Sequence, residues 1–138
     1  MPMVLCIDDD ATILELHKSL LETKGYTVLT APDGLAGVAL ARTNPVDAVV
    51  LDFKMPGMDG NQVAEVLMRE QPSLPVVICS GFPYEVPEGL KWFAAAFLEK
   101  GDGPGVLLSA LEELIVSKKV SGQANETRRR IGKSRHAA

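Results

Sequence analysis

Side chains that could do phosphate chemistry follow four short apolar runs of this sequence. Asp8–Asp10 come directly after "MVLCI" and Asp52 follows "AVVL", while Ser80 closes "PVVICS" and Lys100 closes "AAFLEK". Neighbouring carboxylates raise one another's pKa unless a cation neutralises them. A hard divalent ion is their natural partner, and Mg²⁺ needs only a few carboxylates plus waters or phosphate oxygens. With a lysine and a hydroxyl opposite the metal, this set predicts metal-assisted phosphoryl chemistry.

The segments between these residues predict the elements that must position them. Short apolar runs alternate with helical patterns about five times. The predicted strands are residues 3–7, 26–31, 47–53, 74–80 and 95–100, and the predicted helices are 11–25, 33–44, 61–71, 87–93 and 103–117. The fourth helix is short because Pro83 and Pro87 forbid one long helix from Gly81. This alternation predicts an α/β fold, a doubly wound five-stranded parallel sheet covered on both faces.

A sheet of this kind would bring the polar residues together. Ligands of doubly wound sheets bind beyond the carboxyl ends of the strands. Because adjacent strands lie about 5 Å apart, we expect Asp8, Asp9, Asp52, Ser80 and Lys100 to meet at one edge. The alternative is that these acids are ordinary helix caps and solvated loop ends. The agreement of four strand ends favours a site.

Apolar residues on the first and last predicted helices recur at helical spacing, which predicts the faces that pack on the sheet. The residues are Ile13, Leu16, Leu20 and Leu21 on the first helix, and Val106, Leu107, Ala110, Leu111 and Leu114 on the last. Asp10 is predicted to cap the first helix and Gly25 to end it. His17 lies near the polar side of that helix, so we expect a solvated surface histidine.

The composition is that of a soluble globular domain of ordinary size. The chain has 138 residues, 46% hydrophobic and 23% charged, and can bury a core without disulfides. Cys6 and Cys79 have neither the spacing of a redox pair nor enough partners for a metal site, so we predict reduced core thiols. No apolar run reaches the length of a membrane span, and "MPMVLCIDDD" lacks signal-peptide features. We therefore expect a cytoplasmic protein with no membrane partner.

Charge divides the chain near residue 116. Residues 1–116 carry 7 Lys or Arg against 17 Asp or Glu, whereas residues 117–138 carry 7 against one, Glu126. The basic segment has little apolar surface to offset the entropy of ordering it, so we predict a domain at 1–116 and a mostly disordered tail at 117–138. The run "TRRRIGKSR" could touch nucleic acid or an acidic partner by charge alone. A solvated linker is the simpler interpretation, and no helix-turn-helix pattern follows residue 116.

Four motifs carry a resemblance to a known family: "CIDDDAT", "VVLDFKMPGMDG", "VVICSG" and "FLEK". In that order and spacing they resemble the receiver domain of two-component response regulators, over roughly residues 3–116. The "LDxxMPGMDG" block is the most specific of the four. The resemblance implies the flavodoxin-like sheet order 2-1-3-4-5. Because the sequence shows no second domain, we expect a stand-alone receiver. It implies a signalling protein rather than an enzyme, one that at most catalyses its own phosphorylation and dephosphorylation.

The resemblance also implies a role for each acid. Asp52 would be the phosphoacceptor, attacking the phosphohistidine of a partner to form an aspartyl phosphate. Mg²⁺ would be held by Asp8, Asp9, Asp52 and the backbone carbonyl of Lys54. Asp59 would lead into the third helix.

Other positions would assist or tune this chemistry. Ser80 would hydrogen-bond the phosphoryl group, and Lys100 would pair with it. Phe97 falls where the family keeps an aromatic switch residue. The side chains of Lys54 and Phe82, two residues after the phosphoacceptor and Ser80, would tune hydrolysis of the phosphoryl group.

The chain departs from the family in two places. Gly101 follows Lys100, where the family has proline in a cis peptide. A cis bond without proline costs about 3 kcal/mol, so we expect a trans bond or a flexible turn. The segment between Ser80 and Lys100 is slightly short and carries two prolines. This predicts an irregular fourth helix and a partner or dimer mode unlike that of the commonest members.

The implied partners are proteins of a phosphorelay. A sensor histidine kinase or a histidine phosphotransfer protein would donate the phosphoryl group. A downstream protein would bind the face made by the fourth helix, fifth strand and fifth helix, and a homodimer is a further option.

Two alternative functions stay open. The first is a receiver-like binding module that is not phosphorylated. The second is a phosphohydrolase of the haloacid dehalogenase type, in which "DDDAT" would supply Asp8 as nucleophile and Asp10 as acid and base. That reading leaves the "LDFKMPGMDG" block unexplained.

Overall fold

Strands and helices alternate along the chain in the computed structural model, which describes residues 1–53, 59–81 and 86–121. The elements are β1 (Met3–Ile7), α1 (Ala11–Thr23), β2 (Thr27–Ala31), α2 (Gly34–Thr43), β3 (Ala48–Asp52), α3 (Gly60–Glu70), β4 (Val76–Ser80), α4 (Glu88–Phe93), β5 (Ala96–Glu99), a 3-10 helix (Lys100–Asp102) and α5 (Pro104–Ser121). Each predicted element is present, and α5 extends past its predicted end at residue 117.

The five strands form one parallel sheet in the order β2-β1-β3-β4-β5. This confirms the predicted flavodoxin-like architecture. The central strands β3 and β4 are buried at each of their positions, because helices cover both faces of a doubly wound parallel sheet. That double burial is the reason their sequences are continuous apolar runs.

Side chains that alternate along the strands build two hydrophobic cores. One core contains Leu51 and Ile78 and lies with α2, α3 and α4. The other contains Val50 and Cys79 and lies with α1 and α5. Successive strand residues point to opposite faces, so the last residue of each strand emerges at the common edge where the two cores end.

Aspartate side chains cap the N-termini of α1, α2 and α3. Asp10 accepts hydrogen bonds from the backbone N–H groups of Thr12 and Ile13, as predicted for an N-cap. Asp33 does the same for α2. The residue predicted to end α1, Gly25, has φ of 91°, a conformation that glycine adopts without strain.

The faces of α1 and α5 that pack on the sheet match the predicted stripes only in part, since Leu21, Leu107 and Leu111 are buried as predicted. In α1 the buried residues are Leu14 and Leu21, whereas Leu16 is 61% exposed. In α5, Ile115 is buried and Val106 is 41% exposed. Both helices carry apolar residues at more positions than one stripe needs, so periodicity left the rotation about the helix axis undetermined.

The fourth helix is short, as predicted. α4 has 6 residues, and Pro87 at its start offers no side-chain cap. Its attachment to the sheet comes from the buried side chains of Val86, Leu90 and Ala94. Among the described residues, no helix is both long enough and apolar enough to cross a membrane.

Candidate functional site

The sheet brings the predicted polar residues to its carboxyl edge. Asp8 follows the last residue of β1, Asp52 ends β3 and Ser80 ends β4. Asp52 pairs in register with Cys79, so Ser80 lies one residue further along the neighbouring strand. Lys100 was expected to end the fifth strand, but β5 ends at Glu99 and Lys100 opens the 3-10 helix.

Three carboxylates converge at this edge. Oxygen atoms of Asp8, Asp9 and Asp52 all lie within 4.8 Å of one another. Asp8 and Asp52 are each only 4% exposed, whereas Asp9 is exposed. Carboxylate oxygens in such a cluster are the donors that Mg²⁺ prefers, and an exposed side leaves room for the waters it retains. The acid cluster therefore fits a magnesium ion.

Lys100 supplies the positive charge of the site. Its Nζ lies 3.1 Å from Oδ1 of Asp52 and 3.7 Å from Oδ2 of Asp8. The lysine is held in a short turn, in which the backbone N–H of Glu99 donates to Oδ2 of Asp102 over 3.0 Å. The expected trans bond before Gly101 is present, since the described residues contain no cis peptide. A defined 3-10 turn takes the place of the flexible loop that was the other expectation.

The surroundings shift the pKa values of this charged pair. Burial, with a smaller contribution from the charge of Asp8, raises the pKa of Asp52 to about 6 despite the opposing effect of Lys100. Partial burial lowers the pKa of Lys100, but the hydrogen bond and charge of Asp52, with the charges of Asp8 and Asp9, raise it by more. The lysine stays charged, and Asp52 is a carboxylate that would gain from further positive charge.

Asp10 does not belong to the acid cluster. Its side chain caps α1, and its backbone N–H donates to Oδ1 of Asp8 over 2.9 Å. Asp10 thus orients a carboxylate of the site through its backbone while its own carboxylate holds the helix.

A cavity of about 350 Å³ leads from the acids into the space between α1 and α5. Its walls are largely apolar and include Ile13, Leu16, Leu20, Leu98 and Leu107, and its polar end is formed by Asp8, Asp52 and Lys100. Three of the four α1 residues predicted to pack on the sheet therefore line this cavity, whereas Leu21 lies in the core. Asp8, Asp52 and Lys100 lie at the end of a cleft rather than on a flat surface.

His17 lies in the wall of this cavity and is not the surface histidine that was expected. The residue is half-buried, and its Nδ1 is buried with no hydrogen-bond partner among the described residues. Burial lowers its pKa, the nearby charge of Asp8 opposes this, and that of Lys100 adds to it. Its spacing of four residues from Ile13 and three from Leu20 was the sequence signal that placed it on the cavity side.

Of the remaining predicted site residues, the structure describes Ser80 and Phe97. Ser80 is 2% exposed at the end of β4. Phe97 is half-buried against the α2–α3–α4 core, and the ammonium of Lys91 lies 5.2 Å from its ring centroid. The sequence did not single out Lys91, because only the fold places α4 over β5. Lys54 and Phe82, which were predicted to tune hydrolysis of the phosphoryl group, lie outside the described residues.

A tight backbone contact joins Phe53, the residue after β3, to Gly60 at the start of α3. The backbone N–H of Gly60 donates to the Phe53 carbonyl oxygen over 2.7 Å. A Cβ at Gly60 would overlap the backbone of Phe53. α3 itself begins with a capping box, in which Asp59 and Gln62 each bond the other's backbone N–H. The backbone directly C-terminal to Asp52 is thus held by a contact that requires glycine.

The two cysteines are free and buried, as predicted. Burial above all, with smaller contributions from neighbouring negative charge, raises the pKa of both thiols to about 12. They are protonated core residues at neutral pH and poor nucleophiles.

A family model described as "Response regulator receiver domain" matches residues 4–112 of this chain. Among curated proteins, the sensor histidine kinase GacS of Pseudomonas protegens is 43% identical over 68 residues, which cover 49% of this chain and 7% of GacS. The chain spans about half of the length, or less, of the curated relatives it matches.

Solved structures show the same likeness over nearly the whole described fold. A response regulator receiver domain protein of Clostridium thermocellum is 31% identical with a TM-score of 0.79, covering 87% of this chain and 98% of that chain. TrrA of Thermotoga maritima, in complex with Mg²⁺-BeF, is 25% identical with a TM-score of 0.78, covering 83% and 99%. TrrA was also solved with the histidine kinase ThkA, at 25% identity and a TM-score of 0.76, covering 83% and 98%.

Proposed function

This chain belongs to the response regulator receiver domain family, the signalling receivers of two-component phosphorelays, and on that premise we propose that Asp52 accepts a phosphoryl group. The donor is the phosphohistidine of a sensor histidine kinase or a histidine phosphotransfer protein. The modified chain is a phosphoprotein that changes its affinity for a downstream protein.

One observation carries the proposal: Asp52 is a buried carboxylate that contacts Lys100 and shares an oxygen cluster with two further acids. A carboxylate oxygen of Asp52 attacks phosphorus, the P–N bond to the donor imidazole breaks, and an acyl phosphate forms. The leaving imidazole keeps the electron pair and takes up a proton. Lys100, 3.1 Å from Asp52 before the reaction, stabilises the negative charge on the phosphoryl oxygens. Asp9 is exposed and Asp8 lies further from the ammonium, at 3.7 Å, so Asp52 is the acid best placed for attack.

Magnesium dependence is part of the proposal. The oxygens of Asp8, Asp9 and Asp52 would hold the ion, with the Lys54 carbonyl as a further ligand. When bound, the ion neutralises the charge that the acids and the phosphoryl oxygens bring together. The relative TrrA was solved with Mg²⁺-BeF, which supports this assignment for the present chain.

The output surface is the face made by α4, β5 and α5. Ser80 and Phe97 lie on the strands that lead from Asp52 to this face. Phosphorylation would draw Ser80 toward the phosphoryl group and bias an existing equilibrium between two arrangements of the face. The complex of TrrA with ThkA supports a kinase as the donor here. We place the protein in the cytoplasm, with a receiver at 1–116 and a basic tail from 117, and a homodimer would use the same face.

The two alternatives make different predictions. A binding module that is not phosphorylated would keep the fold but not react. A phosphohydrolase needs Asp10 as acid and base, yet the Asp10 carboxylate accepts from Thr12 and Ile13 in the helix cap. The geometry therefore favours the receiver.

The test is phosphorylation by a small phosphodonor in the presence of Mg²⁺. We expect intact-protein mass spectrometry to show a gain of one phosphoryl group that disappears with a chelator and in Asp52→Asn. Asp10→Asn, which preserves the cap, is the matched control and should still react. No mass gain in the wild-type protein would support the binding module, and continuous turnover of a phosphate ester would support the hydrolase.

A further inference from the structure

The ammonium of Lys91 is placed over an aromatic ring instead of in water. Its Nζ lies 5.2 Å from the centroid of the Phe97 ring, within the distance at which a cation is attracted to the ring face. The Lys91 side chain is only 25% exposed, although lysine is among the residues most often solvated. The side chain therefore contacts protein along most of its length.

A second partner of this ammonium among the described residues is weak. Glu88 lies one turn earlier on α4 with its carboxylate 3.5 Å away, and its side chain is 82% exposed. Exposed ion pairs of this kind contribute little. Of these two described contacts, the ring of Phe97 is thus the one that can fix where the ammonium lies.

This contact joins a short helix to the strand that directly precedes Lys100. α4 has 6 residues and no side-chain cap. Phe97 pairs in register with Ile78 of β4, and Lys100 follows three residues later and contacts the free carboxylate of Asp52. Lys100 thus pairs here with the Asp52 carboxylate itself, and a phosphoryl group on Asp52 would compete for that ammonium.

We infer that Lys91 is a positioning residue that holds the Phe97 ring in this pose and so opposes rearrangement of the α4–β5 face when Asp52 is phosphorylated. The inference rests on the proposed function for its link to Asp52. A contact made in one of two arrangements shifts the equilibrium toward that arrangement by the strength of the contact. Loss of the charge at Lys91 therefore favours the phosphorylated arrangement.

Two variants separate the charge of Lys91 from the packing of its stem. Lys91→Met keeps a long apolar stem and removes the cation, whereas Lys91→Arg keeps a cation that also binds ring faces. Glu88→Gln removes the ion pair and leaves the ammonium over the ring. We expect beryllofluoride, titrated with Mg²⁺, to bind Lys91→Met roughly two- to fivefold more tightly than the wild type. Lys91→Arg and Glu88→Gln should match the wild type.

A second measurement decides the positioning role without any phosphoryl analogue. NMR couplings report the side-chain rotamers of Phe97, and we expect one rotamer in the wild type and Lys91→Arg but a mixture in Lys91→Met. Equal rotamer populations in the three proteins would overturn the inference, as would unchanged beryllofluoride affinity in Lys91→Met. If the wild type fails to bind beryllofluoride, the proposed function and the link to Asp52 fall, while the rotamers still decide whether Lys91 positions the ring.

Discussion

At the scale of single residues, the site depends on one carboxylate whose surroundings disfavour its charged form. Asp52 is buried beside Asp8, and Lys100 compensates only part of the cost of its charge, so the pKa of Asp52 is raised to about 6. The proposed nucleophile and metal ligand is thus destabilising while no metal ion is bound. Protein sites often carry such a cost for function.

Replacing Asp52 should therefore stabilise the metal-free protein. A carboxyl group whose pKa is raised binds its proton more tightly in the folded state than in the unfolded state. Between the ordinary value of 3.8 and about 6, the stability of the wild type therefore falls as pH rises, and it loses nothing further above that window. We expect Asp52→Asn to be more stable by about 1–3 kcal/mol at pH 7 and to lose this advantage near pH 4.

The measurement is denaturant unfolding in the presence of a chelator, repeated from pH 4 to pH 8. Asp9→Asn is the matched control, because Asp9 is exposed and its removal should change stability far less. A difference between Asp52→Asn and the wild type that does not vary with pH would contradict the argument.

At the scale of elements, the position of Asp52 is set by how closely α3 approaches the end of β3. Gly60 allows that approach, because a side chain there would overlap the backbone of Phe53. Backbone cannot yield as a flexible side chain can, so a larger residue must displace either α3 or the end of β3. The residue next to Phe53 is Asp52 itself.

Gly60→Ala should accordingly harm both stability and reaction. We expect a loss of about 1–3 kcal/mol in the free energy of unfolding and slower phosphorylation by a small phosphodonor. Gly89→Ala is the matched control, because a Cβ at Gly89 meets nothing within 4 Å and should stabilise α4 by about 0.5–1 kcal/mol. Denaturant unfolding measures the first effect and mass spectrometry the second. Wild-type behaviour of Gly60→Ala in both assays would show that the contact relaxes without cost.

At the scale of the whole molecule, the packing of α5 determines where the folded unit ends. α5 packs Leu107, Leu111 and Ile115 into the core that it shares with α1. The family match ends at residue 112, yet Ile115 is only 5% exposed. The folded unit therefore extends beyond the matched segment.

Truncation should locate the boundary of that unit. A chain ending at residue 112 loses the buried side chain of Ile115 and should be destabilised by about 2–4 kcal/mol. A chain ending at residue 121 keeps each buried contact of α5 among the described residues. We expect its unfolding midpoint and its phosphorylation rate to match those of the full chain. A clear loss of stability in the longer truncation would show that the basic segment contributes to the fold.

The sequence by itself determined the fold class, the order of elements and the strand ends at or directly after which Asp8, Asp52, Ser80 and Lys100 lie. These follow from apolar runs, capping residues and motif spacing, which are local properties of the chain. The short α4 and the cap at Asp10 were predictable for the same reason.

Only the tertiary structure decided which face each helix packs on the sheet and which residues its side chains contact. α1 has apolar residues on more than one face, so its rotation depends on packing against the sheet and α5 rather than on its own periodicity. That rotation leaves Leu16 exposed and moves His17 into the cavity wall. The contact of Lys91 with Phe97 likewise exists because α4 crosses beside β5, and no local pattern in the sequence records that approach.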